Sequence, residues 1–199
     1  TTWATTRPQG FGDAEVARLR ALIPVLAMLV EVHATREVAR TVLETYVGPI
    51  AGRRVLSGQI KRGDQERIRA VLWYCDLRGF TPLTEKLDGS KLIDMLNQYF
   101  ERMAAPIRAH GGEVMKFIGD AMLAAFPLDH RDAEIASNAA LAAAREAIGS
   151  MRAHNVACIE CGEPSVEFGV ALHLGEMVFG NIGAPDRLDF TVIGPAVNR

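Results

Sequence analysis

Asp76 and Asp120 are the two residues of this 199-residue chain best suited to chemistry. Asp76 closes the apolar run IRAVLWYCDL, and Asp120 follows Gly119 inside EVMKFIGDAM. A carboxylate at the end of a buried strand is costly unless something pairs with it. If the two strands are neighbours, both carboxylates project at one end of a sheet. Side by side they repel, unless they share hard divalent cations. Magnesium favours one or two carboxylates, with water and phosphate completing its shell. Two such ions clamp the attacking and leaving oxygens of a phosphoryl transfer. Gly79, Phe80 and Thr81 follow Asp76 and offer backbone N–H groups at a helix start, a cradle for phosphate. On spacing alone, the two aspartates serve equally well as caps of turns. Lys116 stands four residues before Asp120 with the same parity, which predicts that both face one side of the sheet.

The elements that must position these residues read as follows. Residues 1–10 resemble a strand end running into a turn. Asp13 is placed to cap a helix striped by Val16, Leu19, Leu22, Ile23, Leu26, Leu29 and Val30, and a second helical stretch covers roughly 35–47. Residues 48–66 carry Gly48, Pro49, Gly52, Gly58 and the cluster KRGDQER, the composition of a linker, so a domain boundary is expected near residue 66. Beyond it, 68–77 reads as a buried strand. A helix capped by Ser90 runs to about His110, with Leu92, Ile93, Leu96, Tyr99, Phe100 and Met103 on one face. Residues 113–118 and 121–126 form a hairpin turning at Gly119-Asp120. Residues 131–154 are Ala-rich and helical, 166–174 and 177–182 form a strand pair around Gly175-Glu176, and 190–193 is a last short strand. This order suggests an α+β fold with helices packed on a mainly antiparallel sheet.

Bulk properties narrow the field. With 49% hydrophobic residues, a proper core is expected. A net charge of −2 gives no basic field for nucleic acid. Three cysteines make no disulfide framework, so a reducing cytoplasm is the expected home. The longest apolar run, Ala21 to Val30, contains Pro24 and is too short to span a bilayer.

Three blocks, DLRGFTPL at 76–83, GGEVMKFIGDAMLAAF at 111–126 and LDFTVIGPAVN at 188–198, resemble the signature blocks of class III nucleotidyl cyclases, the adenylate and guanylate cyclase catalytic domains. The resemblance covers about 68–199 and implies a ferredoxin-like or palm-like sheet. It implies that Asp76 and Asp120, with the Leu77 carbonyl, ligate two magnesium or manganese ions. It implies that residues 77–81, including Gly79, Phe80 and Thr81, hold a triphosphate, that Lys116 and Thr191 read the base, and that Asn198 orients the ribose. The implied reaction is attack of the ribose 3′-hydroxyl on the α-phosphate with release of pyrophosphate, in a homodimer whose two sites lie in the interface. Lysine donates to adenine N1 and threonine accepts from the 6-amino group, so the pair favours ATP as substrate over GTP. The family's transition-state arginine falls four residues after Asn198, past Arg199, and the expectation is that the native chain continues.

The first 32 residues resemble the last strand and helix of a GAF-type sensor domain, which implies a sensor upstream and a dimerising signalling stem at 13–47. Cys158 and Cys161 form a lone CxxC beside His154, read as a metal-free surface loop because four zinc ligands are not at hand. His33, His110, His130 and His173 show no ligand spacing and read as structural.

Overall fold

The computed structural model describes residues 2–59, 61–128 and 132–197. Its organising element is the strand β1 (Gln65–Arg78), which pairs antiparallel with β3 (Ala121–Pro127) on one side and β4 (Glu167–Ala184) on the other. The hairpin partner β2 (Glu113–Ile118) and the last strand β5 (Arg187–Ile193) complete a five-stranded antiparallel sheet in the order β2-β3-β1-β4-β5. Among the described residues five helices accompany it: α1 (Asp13–Val47), α2 (Pro49–Leu56), α3 (Phe80–Lys86), α4 (Gly89–Ala109) and α5 (Ala133–Glu160).

Alternation along β1 explains the layering. Val71, Trp73, Cys75 and Leu77 point to one face, where α4 and α5 cover them. Tyr99, Met103 and Ile107 recur at helical spacing on α4 and are fully buried there. The facing side of α5 is made of small residues, Ala136, Ala140, Ala143, Ala144 and Ala147, which lets that helix approach closely. Ala70 and Leu72 point to the other face, joined by Leu123, Ala125, Met177, Phe179 and Val192. Among the described residues α2, through Ala51 and Ile50, and the segment after β5, through Ala196 and Val197, cover that second face, and it stays open around Tyr74 and Asp76.

Several sequence expectations are corrected. Residues 2–12 form no strand. The two N-terminal helices are one 35-residue helix, because nothing between Val30 and Arg36 breaks it and Pro24 is tolerated inside. Its cap is Gly12 rather than Asp13, with the Glu15 carboxylate accepting the Gly12 N–H at 2.9 Å. The linker contains α2, which starts after Gly48 with Pro49 in its first turn. The cap of α4 is Asp88, whose carboxylate accepts the Ser90 N–H at 3.2 Å. Gly175 does not turn the chain. It pairs with Ala70 within a continuous β4, and a Cβ there would lie 2.5 Å from the Ala196 Cβ, so glycine permits a close crossing. The CxxC is no loop: Cys158 is buried in the last turn of α5 and Cys161 caps it, with the Cys158 Sγ 3.4 Å from His154 Nε2. His110 Nε2 meets the Glu146 carboxylate at 3.0 Å, and His130 lies outside the described residues.

None of the residues of α1 is buried, and Leu22, Val25, Leu29, Val32 and Tyr46 are exposed along it. No described helix is long and apolar enough to cross a membrane.

Gly112, between α4 and β2, is buried, and a Cβ there would meet Phe126 Cζ at 2.7 Å and Ile107 Cγ2 at 2.8 Å. Gly112→Ala is therefore expected to destabilise the domain by about 1–3 kcal/mol through overpacking, seen as a lower thermal unfolding midpoint.

Candidate active site

The register brings the two aspartates together. Pairing of β1 with β3 ends at Cys75↔Met122, so the next step sets Asp76 level with Ala121 and next to Asp120 in the β2–β3 turn. Both carboxylates are half-buried. Their fields converge: the phenol of Tyr74, on the open face beside Asp76, is pushed up first by burial and then by Asp76 and Asp120. Tyr99, beneath the sheet, is pushed up by burial, by the buried Cys75 thiol and by the same two carboxylates. The cation nearest Asp76 among the described residues is Arg78, 3.8 Å away and largely exposed. Asp120 has no ion-pair partner among them.

Oxygen donors of this kind, paired and only weakly neutralised, fit a hard divalent cation rather than a soft one. Among the described residues no third acidic, histidine or cysteine ligand joins them. Two carboxylates then leave the remaining coordination positions to backbone carbonyls, water and phosphate, the pattern suited to magnesium. Beyond Cys75 the backbone of β1 is no longer laddered to β3, which frees Leu77 on that side. Gly79 adopts φ +65°, a left-handed conformation that glycine takes at little cost, and it opens α3. Phe80 is anchored on the core under α4, while Thr81 is exposed at the mouth.

The regular steps from Lys116↔Leu123 to Ile118↔Ala121 keep Lys116 and Ile118 on one face, with Asp120 in the turn beyond, and a bulge before Lys116 decides which face that is. The β2–β3 register slips at Met115: Val114 pairs with Ala124, yet Lys116 pairs with Leu123. This bulge sends Val114 to the helix layer, Met115 to the second core and Lys116 to the Leu123 side. Phe117 is thereby returned to the helix side, its ring 4.6 Å from that of Phe100. The Lys116 ammonium contacts the Asp189 carboxylate on β5, although the two strands are opposite edges of the sheet. Lys116 and Asp189 line a cleft of about 540 Å³ with Arg108, Phe117, Phe190 and the α1–α2 junction, a cleft that contains neither Asp76 nor Asp120. Thr191 pairs with Gly180 and lines a separate, shallow pocket of about 60 Å³. Asn198 lies outside the described residues. The sequence reading missed Asp189, Arg78 and the two tyrosines. Only Asp189 left a signal, standing two residues before Thr191 on the same side of β5.

The family of adenylate and guanylate cyclase catalytic domains matches residues 64–199, and the chain belongs to it. Domains of this family use divalent metal ions. Over 139 residues the chain is 31% identical to an adenylate cyclase of Anabaena cylindrica, a match that covers 70% of this chain and 27% of that protein. The chain thus spans little more than a quarter of that relative. A solved bacterial light-regulated adenylyl cyclase superposes with a TM-score of 0.69 at 26% identity, covering 89% of this chain and 50% of that one. The guanylyl cyclase Cya2 superposes with a TM-score of 0.58 at 33% identity, covering 69% of this chain and 68% of that one. The fold is thus that of a nucleotidyl cyclase catalytic domain, with a long helix before it.

The convergence of the two carboxylates has a direct test. Removing one negative charge relieves the phenolate of Tyr74, so Asp76→Asn and Asp120→Asn should each lower the Tyr74 pKa, while burial still holds it above the ordinary value. Ultraviolet titration of phenolate absorbance, with a Tyr74→Phe protein subtracted, reads the shift. Saturating magnesium should lower it in the unaltered protein for the same reason.

Proposed function

We propose that this chain is the catalytic domain of an adenylate cyclase, converting ATP to 3′,5′-cyclic AMP and pyrophosphate in a signalling protein. The observation that carries the reading is the convergence of Asp76 and Asp120 at the joined ends of β1 and β3, beside a free backbone edge and the left-handed Gly79. In this reading Asp76, Asp120 and the Leu77 carbonyl hold two magnesium or manganese ions. When bound, these supply charge neutralisation at the attacking and leaving oxygens. Residues Leu77, Gly79, Phe80 and Thr81 hold the triphosphate. The ribose 3′-oxygen forms a bond to the α-phosphorus, the bond to the bridging β-phosphate oxygen breaks, and pyrophosphate leaves. Asn198 orients the ribose.

Base choice follows from donors and acceptors. Lys116 donates to adenine N1 and the Thr191 hydroxyl accepts from the 6-amino group, whereas guanine presents the reverse pattern. The likeness to a guanylyl cyclase supports the second reading, in which GTP is the substrate. The two divide on product: incubation with ATP and GTP in the presence of manganese should yield mainly cyclic AMP. Asp76→Ala and Asp120→Ala should each reduce turnover to background while the thermal midpoint stays within a few degrees. A GTP preference would favour the second reading.

The cleft that holds Lys116 does not reach the carboxylates, which supports a site shared between two chains. One chain gives Asp76 and Asp120, and its partner gives Lys116, Thr191 and Asn198. The exposed apolar residues of α1 suit a dimerising stem, with the domain boundary near residue 66. Free Cys75, Cys158 and Cys161 suit a cytoplasmic setting. Mixing Asp76→Ala and Lys116→Ala forms of the full-length protein, each inactive alone, makes about half the dimers mixed with one intact site each. Activity should recover to about a quarter of that of the unaltered protein. Absence of recovery despite demonstrated subunit exchange would place each site within one chain.

A further inference from the structure

We infer that Arg78 is a positioning residue for the metal site: its guanidinium balances Asp76 while no cation is bound, and passes to Glu167 when a divalent cation takes that carboxylate. The inference rests on Asp76 and Asp120 holding the metal, as set out above. Asp76 and Arg78 have equal parity at the end of β1, and their partners on β4 are Gly169 and Glu167. The four positions form a square on one face of the sheet, charged at three corners and without a side chain at the fourth. That empty corner is needed. A Cβ on Gly169 would lie 2.9 Å from Arg78 Nη2, 3.3 Å from Arg78 Nε and 3.1 Å from Asp76 Oδ1. The guanidinium therefore lies over the Gly169 backbone, with its Nε 3.8 Å from Asp76 Oδ1.

Strand pairing alone predicts a different partner. Arg78 stands directly opposite Glu167, where opposite charges attract across a ladder. Yet Glu167 is exposed and makes no ion pair among the described residues. Asp76 wins because Asp120 stands beside it, and two neighbouring carboxylates attract one guanidinium more than a single exposed one does. A divalent cation reverses this preference. It neutralises the two aspartates, removes their pull on Arg78 and leaves Glu167 as the acid opposite. Arg78 and Glu167 line one groove of about 520 Å³ with Arg152, Asn155 and Phe168, which gives the guanidinium room to move. The cation must displace Arg78 to enter, so its affinity is lowered by the worth of the pair. With side chains 67% and 35% accessible, that worth is small and sensitive to salt.

The test titrates manganese into the full-length, nucleotide-free protein at low ionic strength and counts the free ion by electron paramagnetic resonance. Asp76→Asn should weaken binding. Arg78→Met should tighten it by about two- to fivefold, the range for an exposed ion pair. The rise in thermal midpoint that manganese produces should be larger in Arg78→Met for the same reason. Arg152→Met, which removes a second cation of the same groove, should leave the affinity unchanged. Glu167→Gln should weaken binding, and should do so less when combined with Arg78→Met. An affinity unchanged or weakened in Arg78→Met, while Asp76→Asn still weakens binding, would overturn this inference alone. So would an equal gain in Arg152→Met, the signature of net charge rather than of a specific counter-ion. Equal losses from Glu167→Gln with and without Arg78→Met would overturn the exchange between the two acids. Binding unaffected by Asp76→Asn would overturn the metal assignment, and this inference with it.

Discussion

The structure depends on one strand being buried on both faces. From Gln65↔Gly180 to Arg78↔Glu167, β1 is laddered to β4 along its whole length, and from Ala70 to Cys75 it is laddered to β3 as well. Ala70 through Cys75 are therefore enclosed on two edges, with one core above and another below; only Tyr74 reaches the open part. Such a strand has no freedom to slip, because a one-residue shift would exchange Trp73 and Leu72 between two differently shaped cores. Everything after Cys75 inherits that rigidity. Asp76 emerges where the β3 ladder stops, and Asp120 is delivered to the same place by the turn that starts β3. The position of both carboxylates is thus set by hydrophobic packing that never touches them.

This division of labour also explains why the tyrosines flank the site. A half-buried pair of carboxylates makes the potential more negative on each side of the sheet, and Tyr74 above and Tyr99 below both register it. Neutral phenols tolerate that field better than a second pair of acids would. They leave the pair uncompensated among the described residues, apart from Arg78, which is the condition for an incoming cation to be held.

Much of this was legible in the sequence because it rests on local patterns. The run ending at Asp76, the hairpin about Gly119 and the stripe Tyr99, Met103 on α4 all follow from period and turn chemistry. The pairing of Asp76 with Asp120 needed only the assumption that their strands are neighbours. What escaped notice lacks a periodic signal. The helix α2 reads PIAGRRVL and is buried through Ala51 and Gly52, small residues whose value appears only against Leu43 and Glu44 of the preceding helix. Gly175-Glu176 looks like a turn until Ala196 is seen to need the space. The CxxC carried no helical signature, yet α5 runs on because Cys158 packs inward.

The face that Lys116 takes carries no signal in the sequence, because the bulge at Met115 sets it. Strict alternation from Val114, which packs under α4, would return Lys116 to that same helix layer and put Phe117 on the other side. A lysine there would bury its charge beside the Phe100 ring, where Phe117 packs, at a cost of several kcal/mol. Phe117 would lose its contact with the Phe100 ring, an aromatic pair worth about 0.5–1.5 kcal/mol beyond its buried area. Slipping one residue at Met115 sacrifices a step of the ladder and avoids both penalties, since Met115 still finds the second core. The bulge is therefore the lower-energy solution for this string of side chains rather than a defect in the hairpin. It leaves the spacing from Lys116 to Asp120 regular: Lys116 reaches across to Asp189 on β5, while Asp120 stays in the turn into β3 beside Asp76.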